Sequence, residues 1–504
     1  MTRQDQSDAI AFLSSLSDLT ERHDTHISII ILSDRRAYKL KRAVCFPYLD
    51  FSTASQRLSA CQRELELNRR TAPSLYVAVR RITREESGRL TFDGSGELVD
   101  SVVEMVRFDQ RDLFSQIAER NELGLALLTN TALAIADFHR DATIDDRRSG
   151  SEIMAAVLRM NSESIRAVGI FSADRTHALE MAFKASLDRL GWLLDERSRS
   201  GKVRRCHGDL HLRNICLLDG SPTLFDCLEF DEDLATIDVL YDLAFLLMDL
   251  WGRGLRAEAN WVFNRYFDGV AEDDGVALLP FFMAVRASVR AHVVAVQATN
   301  ETAAAFKEAN AYFELASDLL NVSPPQLVAV GGLSGSGKSS VAAAAAHRLG
   351  QPPGARVLSS DRIRKRLYGV SAETRLPPEA YQPSVSKLVY AEQARIAEAY
   401  LKNGHAVIAD AVFDRVEDRQ RIEAAVPDTV PFNGFWLDAP LELLIDRVRN
   451  RVGDPSDATP SVLRQQARSA TKTEWQSLSS GEAVANTAAR LIGCVQAASD
   501  MVER

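Results

Sequence analysis

The chain has 504 residues, of which 46% are hydrophobic and 26% are charged, and its formal net charge is -9 at pH 7. Since single hydrophobic cores stop growing at roughly 250 to 300 residues, this length predicts two or more packed cores. The acidic charge balance argues against bulk electrostatic binding to nucleic acid or to an anionic membrane.

Nothing in the sequence predicts export, membrane insertion or disulfide bonds. The first thirteen residues lack a basic segment followed by an apolar one, which a secretory signal requires. The apolar runs, such as residues 239–250, fall short of the roughly 18 uninterrupted residues of a membrane span. The 6 cysteines form no C-x-x-C pair, so reduced thiols in the cytoplasm are expected, with no membrane partner.

The chain up to about residue 120 is predicted to be rich in strands and the next part helical. Apolar and β-branched segments at 29–32, 37–40, 75–79 and 102–106 predict strands, and helical patterns dominate beyond about residue 120. A helical stretch from Glu301 to Leu320 is followed by Ser323-Pro324-Pro325, the best candidate linker. We therefore predict two domains, residues 1–322 and residues 323–504.

Beyond the linker, apolar strands are predicted to alternate with helices. The predicted strands are 327–330, 356–358, 406–409 and 434–437. Strands that alternate with helices are typical of βαβ units, and they predict a parallel sheet with helices on its faces. The second domain is therefore predicted to be an α/β fold.

A first motif, H-G-D-L-H-L-R-N, runs from His207 to Asn214, and the apolar segment Leu224-Phe225 ends in Asp226 twelve residues later. Phosphoryl transfer needs a carboxylate that orients the acceptor hydroxyl and ligands that hold Mg²⁺ on the ATP phosphates. The spacing predicts that Asp209 orients or deprotonates the acceptor. Asn214 and Asp226 are then the predicted metal ligands.

Residues 25 to 320 resemble the aminoglycoside phosphotransferase and choline kinase group, which has a two-lobed, α+β kinase-like fold. The resemblance implies that Lys39 contacts the α- and β-phosphates of ATP and that Glu64 is its helix partner. Lys41 lies on the same face of the predicted strand and stays an alternative to Lys39. The segment from Glu104 to Val106 corresponds to the hinge whose backbone reads adenine.

Two further features refine this resemblance. Asp238 and Asp242 match an acidic pair of which one member usually braces the catalytic loop. No glycine precedes Gly88, so the glycine-rich phosphate loop of protein kinases is absent and a protein kinase is disfavoured.

Two clusters near the motif are given little functional weight. The spacing of Cys206, His207 and His211 fits no usual zinc pattern. The acidic run from Glu229 to Asp233 is predicted to be a solvated loop, although it could attract a cationic substrate.

A second motif, G-L-S-G-S-G-K-S, follows the predicted strand 327–330 and precedes a predicted helix over 341–349 with Gly350 as its C-cap. This is the P-loop pattern, in which backbone N–H groups cradle nucleotide phosphates at a helix N-terminus. Lys338 would balance the phosphate charge and the Ser339 hydroxyl would reach Mg²⁺. The other predicted nucleotide-binding residues are Gly332, Gly335, Ser336, Gly337 and Ser340.

Two carboxylates follow the P-loop at predicted strand ends. Asp410 ends the apolar segment Val407-Ile408-Ala409 and is the predicted Walker B residue, which holds the metal. Asp361 follows the strand after the P-loop helix, where P-loop kinases of small molecules place the carboxylate that positions the acceptor hydroxyl.

Residues 326 to about 470 resemble the gluconate kinase and zeta-toxin group of P-loop kinases. The resemblance implies that Asp361 is the acceptor-positioning base and that Arg364 clamps the substrate. Arg447 and Arg451, four residues apart on one predicted helix face, would be lid arginines that approach the phosphates. Arg419 is a weaker candidate for anion binding. The segment from Asp454 to Asp457 is interpreted as a turn that ends the lid helix, with no chemistry assigned.

The two motifs together predict a bifunctional ATP-dependent kinase of small-molecule hydroxyl acceptors, with one Mg²⁺–ATP site in each domain. One alternative is that the P-loop domain is a nucleotide sensor that regulates the other domain. A second alternative is an antibiotic kinase. A kinase of nucleic-acid ends is disfavoured by the acidic charge and by the lack of an aromatic-studded basic groove. The acceptors and the oligomeric state stay open.

Overall fold

The computed structural model describes residues 5–17, 20–25, 27–46, 49–270, 272–298, 303–451 and 455–502. These residues form two compact units: unit 1 comprises 1–159 and 191–249, and unit 2 comprises 160–190 and 250–504. The units follow spatial packing, whereas the predicted domains 1–322 and 323–504 follow the proline linker. The domain boundary therefore stays a prediction.

Unit 1 begins with an antiparallel sheet and two helices that position the first candidate site. The sheet has the order β1-β2-β3-β8-β6-β7. All four strands predicted in this part of the chain lie in it. In chain order the elements are α1 (Ser7–Ser14), β1 (Glu21–Asp24), β2 (Ser28–Leu32), β3 (Arg36–Lys41), β4 (Cys45–Phe46), β5 (Leu49–Asp50), α2 (Ala54–Asn68), β6 (Tyr76–Arg84), β7 (Leu90–Phe92) and β8 (Glu97–Val106).

Helices and short hairpins follow this sheet, as the sequence predicts. They are α3 (Phe114–Glu119), α4 (Leu125–Asp141), α5 (Gly150–Val168), α6 (Ala173–Arg199), β9 (Val203–Arg205), β10 (Ile215–Leu218), β11 (Ser221–Leu224), α7 (Glu232–Ala235), β12 (Thr236–Asp238) and α8 (Val239–Gly252). Strands β10 and β11 are joined by Asp219 and Gly220, which have φ angles of 50° and 77°. Such a two-residue Asp-Gly turn suits the twist of a hairpin.

Besides residues 160–190 of helices α5 and α6, unit 2 contains three helices followed by the predicted α/β fold. The elements are α9 (Arg256–Gly269), α10 (Leu279–Ala298), α11 (Ala303–Asp318), β13 (Leu327–Gly331), α12 (Lys338–Ala346), β14 (Arg356–Ser359), α13 (Ser360–Leu367), α14 (Pro383–Lys402), β15 (Val407–Asp410), α15 (Val416–Ala424), β16 (Phe432–Asp438), α16 (Leu441–Arg449), α17 (Pro460–Ser469), β17 (Gln476–Ser479) and α18 (Val484–Val502).

The sheet of unit 2 is entirely parallel and has the order β14-β15-β13-β16-β17. Parallel sheets are covered on both faces, and this accounts for the continuous apolar runs of the central strands. Val328, Val330, Ile408 and Phe435 lie in its core against helices α12 and α18. The carboxyl ends of β13, β14 and β15 therefore meet at one edge, where the second candidate site lies.

Helix α12 is shorter than the sequence predicts. It ends at Ala346, and Gly350 lies beyond its end with a φ angle of 72°. The C-cap position is His347. The prediction of helix through Leu349 with Gly350 as C-cap is therefore wrong by one turn.

Among the described residues, one helical stretch, Asp273–Val296, is long and apolar enough to cross a membrane by length and composition. The sequence analysis did not identify it as such. Of its most apolar window, 72% is buried inside the structure, which is the pattern of a core helix.

The edge strand β14 is covered by two asparagines of helix α9. Asn264 Oδ1 accepts hydrogen bonds from Val357 N, at 2.8 Å, and from Arg356 Nη1, at 3.0 Å. Asn260 Nδ2 donates to the carbonyl oxygens of Pro353 and Ala355, both at 3.0 Å. The two asparagines are four residues apart and lie on one face of the helix. Asn264 satisfies a backbone N–H of β14 that an edge strand would otherwise leave unpaired, and Asn260 satisfies carbonyl groups just before the strand.

We expect Asn264→Ala to destabilise unit 2 by about 1 to 3 kcal/mol, because buried donors lose their acceptor. Thermal unfolding measures this change, and hydrogen exchange at the Val357 amide localises it. Gln420→Ala, on the exposed side of α15, is the control and should change neither quantity. A Val357 amide that exchanges as slowly in Asn264→Ala as in the wild type would contradict the role given to this helix.

Candidate active sites

The first motif forms a compact loop in unit 1. Asn214 ends a 3₁₀ turn, Leu212–Asn214, and its Nδ2 donates to the carboxylate Oδ2 of Asp209, at 2.8 Å. The backbone N–H of Phe225 donates to Asn214 O, at 3.0 Å, because the β10–β11 hairpin folds the chain back. The hairpin thereby brings Asp226 next to the predicted metal ligand Asn214.

The loop is braced by Asp242, which is completely buried. Its carboxylate accepts hydrogen bonds from the backbone N–H groups of His207, at 3.1 Å, and Gly208, at 2.8 Å. His139 Nε2 lies 3.1 Å from the same carboxylate. Asp242 is thus the bracing member of the predicted acidic pair. Asp238 instead pairs with the buried guanidinium of Arg197, at 2.8 Å and 2.9 Å.

Sequence reasoning missed two members of this support. His139 has the spacing of an ordinary core residue of α4, and no motif marks it. Asp249 accepts a hydrogen bond from Leu212 N, at 3.1 Å, but in the sequence it is only one carboxylate in an apolar helix. His139, Cys206 and Asp242 are close enough to hold a metal ion, yet Asp242 is already occupied by the loop amides. We therefore assign this cluster a bracing role.

Asp226 adopts a left-handed backbone conformation, with φ of 63°. Its carboxylate contacts Lys39 Nζ, and Lys39 Nζ also lies 2.8 Å from Glu64 Oε1. The neighbouring Cys227 N donates to Asn68 Oδ1, at 2.8 Å, so Asn68 of helix α2 holds this segment. A non-glycine residue at positive φ is uncommon and marks a position that the surrounding structure has fixed. The predicted phosphate lysine, its helix partner and the second metal ligand therefore lie together.

Lys41 lies two residues after Lys39 on β3 and is fully buried between Glu64 and Glu229. Burial opposes the charge on Glu64, but the ammonium groups of Lys39 and Lys41 outweigh it and lower the pKa of Glu64 to about 2. Burial raises the pKa of Glu229, and Lys41 opposes this increase. Glu229 is only 4% exposed, so the prediction of a solvated acidic run is wrong for this residue.

The predicted hinge lies on strand β8. The carboxylate of Glu104 pairs with Arg80, at 2.6 Å, and with Arg36, at 3.1 Å. The backbone N–H of Val106 donates to Leu75 O, at 2.9 Å. To read adenine, this amide would have to exchange its partner, and the adenine-reading role of Glu104 and Val106 stays a prediction.

Substitution with methionine is expected to distinguish the roles of the two lysines. Lys41→Met leaves Glu229 without its ammonium partner, and breaking a buried pair costs about 3 to 5 kcal/mol, so the unfolding midpoint should fall. In Lys39→Met, Glu64 keeps Lys41 as its partner and solvent hydrates the carboxylate of Asp226. This variant should therefore weaken ATP binding and change stability little. Calorimetric ATP titration and thermal unfolding, both in a Lys338→Ala background that silences the P-loop, measure the two effects.

Each lysine variant is the control for the other. Loss of ATP affinity in Lys41→Met, with full affinity in Lys39→Met, would reverse the assignment.

The P-loop lies between β13 and α12 in unit 2. Gly335 and Gly337 each have φ of 86°. A Cβ on Gly335 would lie 2.7 Å from Leu444 O, so a side chain is excluded there, whereas Gly337 faces open space. Glycines with positive φ are typical of the backbone loops that bind phosphate. Gly332, Ser336 and Ser340 belong to the same loop and the first turn of its helix.

The predicted magnesium ligands of this site are in contact. Ser339 Oγ, in the first turn of α12, donates to Asp410 Oδ2 at the end of β15, at 2.7 Å. Asp410 is only 2% exposed. Burial raises the pKa of Asp410, and Lys338 and Ser339 oppose the increase. Hydroxyl and carboxylate oxygens are the ligands that Mg²⁺ prefers, so these two residues fit a metal bound to nucleotide phosphates.

The predicted acceptor residues lie on α13, beside this pair. Ser359 at the end of β14 is in register with Asp410, so Asp361 begins its helix next to the Walker B carboxylate. The guanidinium of Arg364 donates to Ala380 O, at 2.7 Å, and lies 4.9 Å from the centre of the Tyr381 ring. Arg364 is therefore held in place on the acceptor side, where a substrate clamp is predicted.

The predicted lid arginines differ from one another. Arg447 Nη1 contacts Gly335 O in the P-loop, at 3.4 Å, and Nη2 contacts Ser480 O, at 3.0 Å. Helix α16 ends at Arg449, so Arg451 lies beyond it, and the prediction that the two share one helix face is wrong. Arg419 is buried and donates to Phe413 O, at 2.8 Å, which is a structural contact.

We expect Asp410→Asn to leave the unliganded protein as stable as the wild type or more stable. A buried carboxylate with a raised pKa opposes folding above that pKa, and the amide removes this cost. The variant should lose the gain in stability that Mg²⁺–ATP gives the P-loop, about 2.7 kcal/mol at a hundredfold excess over Kd. Thermal unfolding with and without Mg²⁺–ATP, in an Asp226→Asn background, measures both. An undiminished gain in Asp410→Asn would contradict the assignment.

Comparison with known proteins agrees with this geometry. Residues 59–279 match the model of the phosphotransferase enzyme family, and residues 327–473 match an AAA domain model. The chain therefore combines a phosphotransferase-family region with a P-loop region. It is a phosphotransferase enzyme with two kinase-related parts, as the sequence motifs predict.

Similar proteins extend over most of the chain. An uncharacterised protein of Mycobacterium tuberculosis is 29% identical over 468 residues, which is 90% of each chain. A choline/ethanolamine kinase family protein from Mesorhizobium loti is 12% identical over 63% of this chain and 92% of its own, with a TM-score of 0.39. A sugar kinase from Janibacter is 20% identical over 34% of this chain and 95% of its own, with a TM-score of 0.27. Scores this low carry no argument about substrate.

Proposed function

We propose that the protein is a bifunctional ATP-dependent phosphotransferase that acts on small-molecule hydroxyl acceptors, with one Mg²⁺–ATP site in each region. The observation that carries the proposal is the same in both units: a carboxylate for the acceptor lies beside oxygen ligands for a metal. In unit 1 these residues are Asp209, Asn214 and Asp226. In unit 2 they are Asp361, Ser339 and Asp410.

The proposed reaction is the same at both sites. The acceptor oxygen attacks the γ-phosphorus of ATP, the bond from that phosphorus to the β-bridging oxygen breaks, and ADP leaves. The hydroxyl proton passes to the carboxylate of Asp209 in unit 1 or Asp361 in unit 2. Bound Mg²⁺ would neutralise charge on the phosphates. Each carboxylate contributes by orienting the hydroxyl, which lowers the entropic cost of the encounter.

In the P-loop region, the chain itself supplies two positive charges at the phosphate loop. Lys338 begins α12 at the phosphate loop, and Arg447 reaches Gly335 O from α16. Cations at these positions favour the charge that spreads over the transferring group. A cytoplasmic location and free metabolites as acceptors accord with this proposal.

A nucleotide sensor is the second candidate for the P-loop region. It is favoured by the same phosphate loop, since ATP binding requires no acceptor. The sensor needs no carboxylate at the position of Asp361, so the place of Asp361 near Asp410 favours the enzyme. An antibiotic kinase differs from the main proposal only in the acceptor of unit 1.

Mass spectrometry of a metabolite extract incubated with Mg²⁺–ATP tests the proposal. Species that gain a phosphoryl group are compared between wild type, Asp209→Asn and Asp361→Asn. Asp233→Asn and Asp446→Asn, at exposed carboxylates of units 1 and 2, are the matched controls. We expect each site variant to lose its own product while ATP affinity is kept.

The other outcomes are equally informative. Loss of one common product in both variants would mean that the sites act in series or that one region gates the other. Full product formation in Asp361→Asn would favour the sensor. Absence of any product with the wild type would refute the proposal.

A further inference from the structure

Asp457 lies between helices α16 and α17, in a segment to which the sequence assigns no chemistry. Its carboxylate Oδ2 accepts hydrogen bonds from Lys365 Nζ, at 2.6 Å, from Leu376 N, at 3.0 Å, and from the Tyr381 hydroxyl. The Asp457 side chain is 12% exposed. Burial opposes its charge, but the three donors outweigh burial and lower the pKa of Asp457.

All three donors belong to the acceptor side of the P-loop site. Lys365 is one helical turn after Asp361 on α13, and it is 1% exposed. Tyr381 ends the 3₁₀ helix Pro378–Tyr381, and its ring lies against the guanidinium of Arg364. Burial raises the pKa of Tyr381, and the hydrogen bond to Asp457 and the negative charges of Asp457 and Asp361 add to the increase.

The two helices that flank Asp457 contact the P-loop. Arg447 of α16 reaches Gly335 O, at 3.4 Å. Gln466 Oε1 of α17 accepts a hydrogen bond from Ser334 N in the P-loop, at 3.1 Å. Residues 455–459, which bear Asp457, lead directly into α17, a helix that contacts the phosphate loop.

We propose that Asp457 is a positioning residue of the P-loop site. It joins the helices at the phosphate loop to the acceptor wall, which consists of helix α13 and residues 374–381. Through Tyr381 it fixes Arg364, and through Lys365 it fixes the helix that bears Asp361. Occupation of the phosphate loop then orders the acceptor wall before transfer. This inference rests on the proposed kinase activity of the P-loop region.

A structural ion pair alone would give a different result from a positioning role. An ion pair that only stabilises the fold affects both substrates equally when it is lost. A link between two halves of the site affects the acceptor selectively, because the phosphate loop keeps its own contacts. The relevant readout is therefore the KM for the acceptor set against the KM for ATP.

The test compares Asp457→Asn with Asp446→Asn, whose carboxylate is 67% exposed on the neighbouring helix α16. The acceptor is the species whose phosphorylation depends on Asp361 in the extract experiment. We expect Asp457→Asn to raise the KM for this acceptor about tenfold or more, with the KM for ATP changed less than about twofold, and Asp457→Glu to recover part of the loss. Tyr381→Phe should raise the same KM, and the double variant should add little to the larger single effect.

Equal increases in both KM values, or an unchanged acceptor KM, would overturn the proposal. If the wild type makes no product that depends on Asp361, the proposed function fails, and hydrogen exchange still tests the link. Mg²⁺ with a non-hydrolysable ATP analogue should slow exchange in residues 374–381 of the wild type. Within unit 2 of Asp457→Asn, the analogue should slow exchange only in the P-loop and in residues 460–469. Protection of 374–381 in both proteins, or in neither, would refute the link.

Discussion

Buried carboxylates hold both candidate sites together. Each can carry its charge only because fixed hydrogen-bond donors replace the water that it loses on burial. Asp242 takes two backbone N–H groups of the catalytic loop, Glu64 takes two ammonium groups, and Asp410 takes the Ser339 hydroxyl. Because a donor cannot leave without exposing a buried charge, each carboxylate fixes the loop or the side chain that supplies its donor. The loops of both sites therefore inherit their rigidity from the groups behind them.

Charge is distributed differently in the two sites. Unit 1 compensates its charge with a cluster of two lysines and three carboxylates, in which each lysine contacts two carboxylates and Glu64 contacts both lysines. Unit 2 gathers its partners around single carboxylates at strand and helix ends. In the cluster of unit 1, reversing the charge of one side chain would leave its partners uncompensated. In unit 2, a carboxylate can exchange one donor for a bound ligand.

The sequence was sufficient for the parts of each site that are close along the chain. The catalytic loop, the P-loop and the strand that ends in Asp410 each occupy a short window with a strict spacing, so motif and hydrophobic pattern located them. The period of β3 showed that Lys39 and Lys41 share a face, but only the fold shows that Lys39 meets Asp226. The hidden partners of long-range contacts, such as Lys365 with Asp457, were not predictable, because no local pattern marks a pair that lies 92 residues apart. The end of α16 at Arg449 was also missed, since Asn450 is a weak stop signal.

The asparagines that cover β14 have a consequence for the history of this chain. Helix α9 lies within the stretch that matches the phosphotransferase family, yet Asn260 and Asn264 complete the hydrogen bonding of a strand in the P-loop region. A gene that encoded the P-loop half alone would produce a sheet with an open edge, and open edges promote aggregation. Once the helix had taken over this edge, splitting the gene would have required a new cover at the same time. The two regions would therefore have been difficult to separate after the fusion, whatever advantage first brought them together.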